Sequence, residues 1–436
     1  EWDGTLYKKI IDTGYHVFIR NRFVGDGIEL RKEIWDYLED IEIDIINKYK
    51  RDLKLSDVFG FPTLKEEKGK VTRFIRDEEG FMEFVKDNKF ISIRGQREYG
   101  KTALLKQLFK AFYEQNKYPV FLDVTKINTA DGEELNRIVG QRYVETYENV
   151  SAEEMLQKAP EERVCFVDNF EEIFLTDKTA KKFLQYLTTK FGTVIISRNH
   201  KLDLLNPLNY VEMNDFIKNN FSILLMQPAR KTYMDRIITK WLCLEEDGQD
   251  IDSPEFDAKK KIKYAEIGNV MQGNYFNGTP VDLLLVLSYL DQEQHAQMNY
   301  SKYSFIYDSL ILEKLNKIGN HQAQTISVYL KILQTLAYKM FIEDTQGYVD
   351  EAFVIGVILD YKEKHSGFTM KTGDIFQKLV EHSFLESKND TYRFKYSYMY
   401  YYFTGSHIDK NLSRAEKEAV TKEIFSNMDR DLNYNV

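Results

Sequence analysis

The chain has 436 residues, a formal charge of −9 from 60 Lys and Arg against 69 Asp and Glu, and 43% hydrophobic residues. That is enough for two or three globular domains, and the acidic balance speaks against a general nucleic-acid binder, although a basic patch can hide inside such a total. Two cysteines give no disulfide framework, seven scattered histidines form no zinc motif, and no run of about 18 apolar residues spans a membrane, so a cytoplasmic protein is expected.

The first stretch with a clear period is GIELRKEIWDYLEDIEIDIINKYK, which puts Leu30, Ile34, Leu38, Ile41 and Ile45 on one stripe and predicts a helix. A loop ending in DVFGFPTL follows, and residues 1–64 read as a helical and linker segment with no catalytic constellation. From residue 65 the pattern becomes α/β. Short apolar runs at KFISIR, YPVFLDV, RVCFVDN, GTVIISR and FSILLMQP alternate with helical segments, as in a parallel sheet covered on both faces.

Between the first of these strands and the helix after it lies GQREYGKTA, Gly95 to Ala103: Gly95, Gln96, Arg97, Glu98, Tyr99, Gly100, Lys101, Thr102 and Ala103. Gly95 and Gly100-Lys101-Thr102 fit G-x-x-x-x-G-K-[ST], the loop that cradles phosphates. The glycines let backbone N–H groups turn toward phosphate, Lys101 can reach the β- and γ-phosphates, and Thr102 can give a hydroxyl to Mg²⁺. ATP or ADP with Mg²⁺ is the expected cofactor set.

A magnesium-bound nucleotide also needs a carboxylate at the end of a neighbouring strand. RVCFVDN supplies Asp168, as a metal residue or else as an ordinary strand-end Asp. The residue after it is Asn169, where many ATPases have the Glu that orients water. Glu171 and Glu172 are the nearest carboxylates; Glu171 is the candidate base, and either can be plain solvated surface. Slow hydrolysis is therefore expected. GTVIISR ends in Arg198, which can sense the γ-phosphate or sit in solvent at the strand end.

Beyond the sheet, LEEDGQDIDSPEFDAKKKIK reads as a solvated loop or boundary. NGTPVDLLLVLSYL then starts a helix at Pro280, whose N-terminus, with Gly278, can face the nucleotide or simply start a helix. SVYLKILQTLAYKMF places Leu330, Leu333, Leu336, Ala337, Met340 and Phe341 on one face. Near the end, IFQKLVEHSFLESKNDTYRFKYSYMYYYF reads as helix, hairpin and aromatic segment, the order of a winged helix. The fold class expected is thus α/β plus α: a P-loop parallel α/β domain at 65–243, a helical domain at 244–320, a winged-helix domain at 321–410 and a helical linker at 411–436.

Taken together, GQREYGKT, CFVDN, the Arg-ended IISR, NGTP and the aromatic winged-helix segment resemble the STAND NTPases. These are signal-transduction ATPases related to AAA+ proteins and include the NACHT and NB-ARC switches. The resemblance runs from about Leu53 to Ile408. It implies a slow ATPase that self-associates when activated, with an effector domain before this chain and a sensor after it. It also implies that a trigger, such as a phage protein in the bacterial defence members, is sensed outside the chain. The chain opens at Glu1 without methionine and reads as a piece of a longer protein. Where the family's winged helix often brings a His to the phosphates, FKYSYMYYYF has Tyr396. Two other classes stay open: a DNA-dependent AAA+ ATPase with a winged helix, which the net charge and the lack of a basic recognition helix disfavour, and a metabolic kinase on the same loop.

Overall fold

The computed structural model describes residues 28–43, 45, 47–50, 52–67, 73–199, 210–228, 231–245, 250–271, 279–291, 305–319, 322–343, 345, 347–365, 370–388 and 391–426. They divide into two compact units, Glu1–Gln297 and Met298–Val436. No helix among the described residues is long and apolar enough to cross a membrane.

In the first unit, the helix expected over residues 27–50 is only α1, Lys32–Glu39. Leu30 instead forms an isolated bridge with Tyr147, and the chain after Glu39 leaves the helix, with Glu42 at φ 62°. The cause is tertiary. Two lysines of the helix that follows the glycine loop are buried, Lys106 at 1% and Lys110 at 7% exposure. A buried ammonium must find oxygen partners. Lys110 Nζ takes the Glu39 carboxylate at 2.7 Å. Lys106 Nζ takes the Asp40 carbonyl at 3.0 Å and the Glu42 carboxylate at 2.6 Å. These bonds hold the segment in a shape that a continuous helix would not allow.

A short helix α2, Leu55–Val58, leads into the sheet. The elements then run β1 (Leu64–Glu66), β2 (Phe74–Ile75), α3 (Glu78–Asp87), β3 (Phe90–Gly95), α4 (Lys101–Glu114), β4 (Tyr118–Leu122), α5 (Gly132–Thr146), α6 (Ala152–Gln157), β5 (Arg163–Val167), α7 (Asp177–Lys190), β6 (Thr193–Asn199), α8 (Val211–Asn220) and β7 (Ser222–Met226). The strand order is β2-β1-β7-β3-β6-β5-β4. The five strands from β7 to β4 are parallel, and they are the five apolar runs expected from the sequence. At one side of the sheet β1 and, at the edge, β2 are antiparallel additions too short to be read from sequence. Every residue of β4 and β5 is buried, which is why these strands read as unbroken apolar runs rather than alternating ones. An aromatic cluster fills the space over them: Phe109 stacks on Phe121 with centroids 5.3 Å apart, and Phe166 lies 5.3 Å from Phe121.

After β7 come α9 (Lys231–Leu242), α10 (Pro254–Met271) and α11 (Pro280–Leu290). The charged run expected to be a loop is in its second half the start of α10. Ser253 Oγ accepts the Phe256 N–H at 3.2 Å, and Pro254 follows at a position where its missing N–H costs nothing. The lysines then face solvent or pair outward, Lys259 with Glu245 at 3.1 Å and Lys260 with Asp235 at 3.0 Å. At the far end of α11, Asp291 accepts the Trp241 indole N–H at 3.0 Å and the Asn47 amide at 3.2 Å, tying α9, α11 and the N-terminal segment together.

The second unit runs α12 (Phe305–Gly319), α13 (Ala323–Ile342), β8 (Val349–Asp350), α14 (Glu351–Lys364), α15 (Thr372–Glu381), β9 (Leu385–Lys388), β10 (Thr391–Phe394), α16 (Ser397–Asn411) and α17 (Arg414–Ser426). Its sheet is antiparallel in the order β8-β10-β9. The helix, hairpin and aromatic segment read from the sequence are α15, the β9–β10 pair and α16, and they are preceded by α13, β8 and α14, of which β8 and α14 had no counterpart in that reading. On α13 the buried face is Tyr329, Ile332, Leu333, Leu336, Ala337 and Met340, with Leu330 and Phe341 at its rim. The aromatic stretch after the hairpin is helix α16, which buries Met399, Tyr400 and Phe403.

Candidate functional site

The glycine loop joins the buried end of β3 to the first turn of α4. Two residues stand at positive φ, Glu98 at 65° and Gly100 at 87°. Gly100 is the N-cap of α4; only glycine takes that conformation without strain, and it lets the loop pass directly into the N-terminus of α4, the end of a helix that attracts anions. Gly95 is required by close packing instead. A Cβ there would stand 3.1 Å from Met226 Cβ and 3.6 Å from the Lys101 stem. Gln96 and Arg97 are exposed, Tyr99 is buried, and Ala103 is half-buried on the first turn.

Lys101 is 8% exposed and folds back over the loop, donating from Nζ to the Gly95 carbonyl at 3.1 Å and the Gln96 carbonyl at 2.9 Å. Burial pulls its ammonium below the ordinary lysine range, against the opposing pull of the Glu171 and Asp168 carboxylates. A desolvated cation whose hydrogen bonds among the described residues go to two carbonyls is one that an anion would stabilise.

Thr102 and Asp168 meet across the loop: the Thr102 hydroxyl donates to Asp168 Oδ2 at 2.5 Å. The other carboxylate oxygen, Oδ1, accepts the Asn169 N–H at 3.0 Å and the hydroxyl of Ser197. Asn169 stands in the left-handed region at φ 49°, where Asn is more at ease than most residues. So the residue that breaks the expected carboxylate pair makes the turn that sends its own N–H back to Asp168. A short 3-10 turn, Phe170–Glu172, then carries Glu171 inward. Burial pushes the Glu171 carboxyl above the ordinary range, Lys101 being among the groups that oppose this. Its Oε2 is buried with no hydrogen-bond partner among the described residues. A hydroxyl and a carboxylate are the hard oxygen donors that suit Mg²⁺, and no group of three or more His, Cys, Asp or Glu among the described residues offers another metal site.

Lys101, Thr102, Asp168 and Glu171 are thus brought together. Arg198 is 4% exposed, and its Nη2 donates to Asn214 Oδ1 on α8 at 2.9 Å. Pro280 opens α11 behind a capping box in which Thr279 Oγ1 accepts the Asp282 N–H at 3.1 Å. The Pro280 ring comes to 3.8 Å from where a Cβ on Gly100 would sit. Gly278 lies outside the described residues. Tyr396 belongs to the second unit, where it is 6% exposed and stacks on Tyr398 with centroids 5.6 Å apart. The Lys314 and Lys395 ammonium groups lie 5.8 and 5.5 Å from its ring centroid.

Sequence reading missed two residues here. Ser197 is one, hidden because a polar residue inside an apolar strand has no motif. Tyr233 on α9 is the other: its hydroxyl comes within 3.7 Å of a Gly100 Cβ position, and its ring lies 3.2 Å from a Cβ position on Gly60. Gly60 belongs to the DVFGFPTL loop, which is thereby laid against α9 beside the phosphate loop. Arg236 holds it there by donating to the Phe61 carbonyl at 2.7 Å.

A parallel sheet with this loop after β3 and an Asp ending β5 is a P-loop α/β nucleotide-binding domain. No protein-family model and no curated protein matches the chain. Among solved structures, a Walker-type ATPase of Pyrococcus abyssi is 13% identical, with 74% of this chain and 93% of that one covered at a TM-score of 0.33. The Aeropyrum pernix ORC2 protein is 10% identical, covering 71% and 84% at 0.32. A RuvB variant of Thermotoga maritima is 13% identical, covering 74% and 88% at 0.30. At such identity and superposition these likenesses say nothing of this chain's activity, and the site stands on its own geometry.

Proposed function

We propose that the chain is an ATP-binding, slowly hydrolysing signal-transduction switch of the STAND kind, with ATP or ADP and Mg²⁺ as its ligands. The observation that supports it most is the convergence of Lys101, Thr102, Asp168 and Glu171 at the open end of β3 and β5. In this reading the loop N–H groups and the α4 N-terminus bind phosphate, and Lys101 exchanges the Gly95 and Gln96 carbonyls for phosphate oxygens. Thr102 and Asp168 hold Mg²⁺, which neutralises phosphate charge when bound. Glu171 orients the attacking water with its unpartnered oxygen. It reaches the site through a turn rather than from the strand end, and the slow turnover proposed goes with that detour. Arg198 reads the γ-phosphate by giving up Asn214, and Pro280 brings α11 to the loop.

The sequence resemblance adds the finer expectations: self-association on activation, an effector and a sensor outside this chain, and a role in bacterial defence against phage. The domain limits of 65–243, 244–320, 321–410 and 411–436 belong to the same proposal. A DNA-dependent reading would want a basic recognition helix, yet α15 (TGDIFQKLVE) sets one lysine against Asp374 and Glu381.

Titration calorimetry with ATP and Mg²⁺ tests the nucleotide site. Lys101→Ala should lose about 1.5–3 kcal/mol of binding, roughly tenfold or more, the usual worth of a hydrogen bond to a charged group. Equal affinity for the two proteins would overturn the site.

A further inference from the structure

We propose that Ser197 is a positioning residue for magnesium: its hydroxyl fixes the rotation of the Asp168 carboxylate, and so decides whether Mg²⁺ can strengthen nucleotide binding. The inference rests on the nucleotide site described above and concerns a residue that no loop motif contains.

It begins with strand order. β6 lies between β3 and β5, and its register with β5 pairs Val167 with Ile196. The next residue on each strand is therefore Asp168 on one side and Ser197 on the other, both at the open end of the sheet. Ser197 is fully buried, at 0% exposure, so its hydroxyl cannot rely on water and must be satisfied by protein. It is satisfied twice. The oxygen accepts the Asn169 N–H at 3.0 Å, and the hydroxyl donates to Asp168 Oδ1.

The consequence falls on Asp168. Its Oδ1 is turned toward Ser197 and the Asn169 N–H, which leaves Oδ2 facing the Thr102 hydroxyl. A carboxylate is free to turn about its terminal torsion, a soft coordinate. Without Ser197 only the Asn169 N–H would remain on Oδ1, and in the present structure that N–H is shared between Asp168 and Ser197. Magnesium demands near-ideal octahedral geometry and tolerates misdirected ligands badly. A hydrogen bond that orients a metal-binding carboxylate is the kind of outer-shell contact whose loss typically costs about 10–100-fold in metal affinity or activity. The tip of β6 thus orders the Asp168 carboxylate, while its Arg198 turns to α8.

The test compares ATP affinity by calorimetry in EDTA and in millimolar Mg²⁺, for wild type, Ser197→Ala, Ser197→Cys and Lys101→Ala. The quantity read is the factor by which Mg²⁺ tightens binding. Ser197→Ala should cut that factor by about tenfold or more, with affinity in EDTA within about twofold of wild type. Ser197→Cys fills the same space with a weak donor, so it should lose the magnesium factor too; recovery by Cys would mean that packing, not the hydroxyl, matters, and would overturn the proposal. An unchanged factor in Ser197→Ala would overturn it as well, and so would an equal loss in EDTA and in Mg²⁺. A failure of the underlying nucleotide site looks different: Lys101→Ala would then bind ATP as wild type does in both media.

Discussion

Glu171 carries the sharpest test at the scale of single residues. It is one of two open candidates in the sequence; the 3-10 turn behind the left-handed Asn169 carries both, and burial raises the Glu171 carboxyl above the ordinary range. A base must be deprotonated to work, so activity should fall on acidification at a higher pH than an unperturbed carboxylate would set. Glu171→Gln should retain ATP binding, lower hydrolysis by about 10²–10⁴-fold as expected for loss of a general base, and abolish that acid limb. Steady-state rates across pH check this; a variant hydrolysing at the wild-type rate would return Glu171 to the surface class. Lys101 and Thr102 could be singled out because the loop motif fixes their spacing, and Asp168 because it ends an apolar strand; the structure brings Thr102 and Asp168 into contact. Ser197 and Tyr233 were not, since each reaches the site only through strand order or helix packing, which leave no local mark.

Between residues and the whole chain, α4 is the element that organises the first unit. Its first turn forms the phosphate loop, and two turns later Lys106 and Lys110 hold the N-terminal segment. The five parallel strands could be read from sequence because burial on both faces leaves only apolar runs. The end of α1 could not. Ile41 and Ile45 fit a helical stripe, and only the buried lysines, invisible to periodicity, end the helix at Glu39. The start of α10 was missed for the opposite reason, because a charged composition masked a Ser-Pro helix start. Glu39→Ala should leave Lys110 buried without its carboxylate, destabilising by up to about 3–5 kcal/mol, and Lys110→Met should cost less. For Glu39 burial alone would raise the carboxyl, but Lys110 and the Ser56 N–H outweigh it and hold it below the ordinary range. Its contribution is therefore complete above the unfolded carboxylate range and is lost as pH falls through the lowered value. Chemical denaturation of the two variants at neutral and acidic pH checks both statements: the Glu39→Ala deficit should shrink at low pH.

For the whole molecule the claim is that one ligand reports its state to the rest of the chain. In the second unit the helix and hairpin were readable because each carries its own period, while the helical state of the aromatic segment was not, and the partition between units at Gln297 and Met298 has no composition mark. A ligand shifts a conformational balance only through contacts that differ between the states, and here the differing contact proposed is Arg198 with the γ-phosphate. Such coupling is typically worth about 1–3 kcal/mol, enough to move a balanced population several-fold. The most direct measurement is small-angle scattering, with mass by light scattering, on wild type and Arg198→Ala in ADP and in a non-hydrolysable ATP analogue. The account predicts that wild type changes its profile or mass between the two nucleotides, and that Arg198→Ala binds ADP as wild type does but loses most of that change. Identical wild-type profiles in both nucleotides, or a variant that responds to the analogue as fully as wild type, would contradict it.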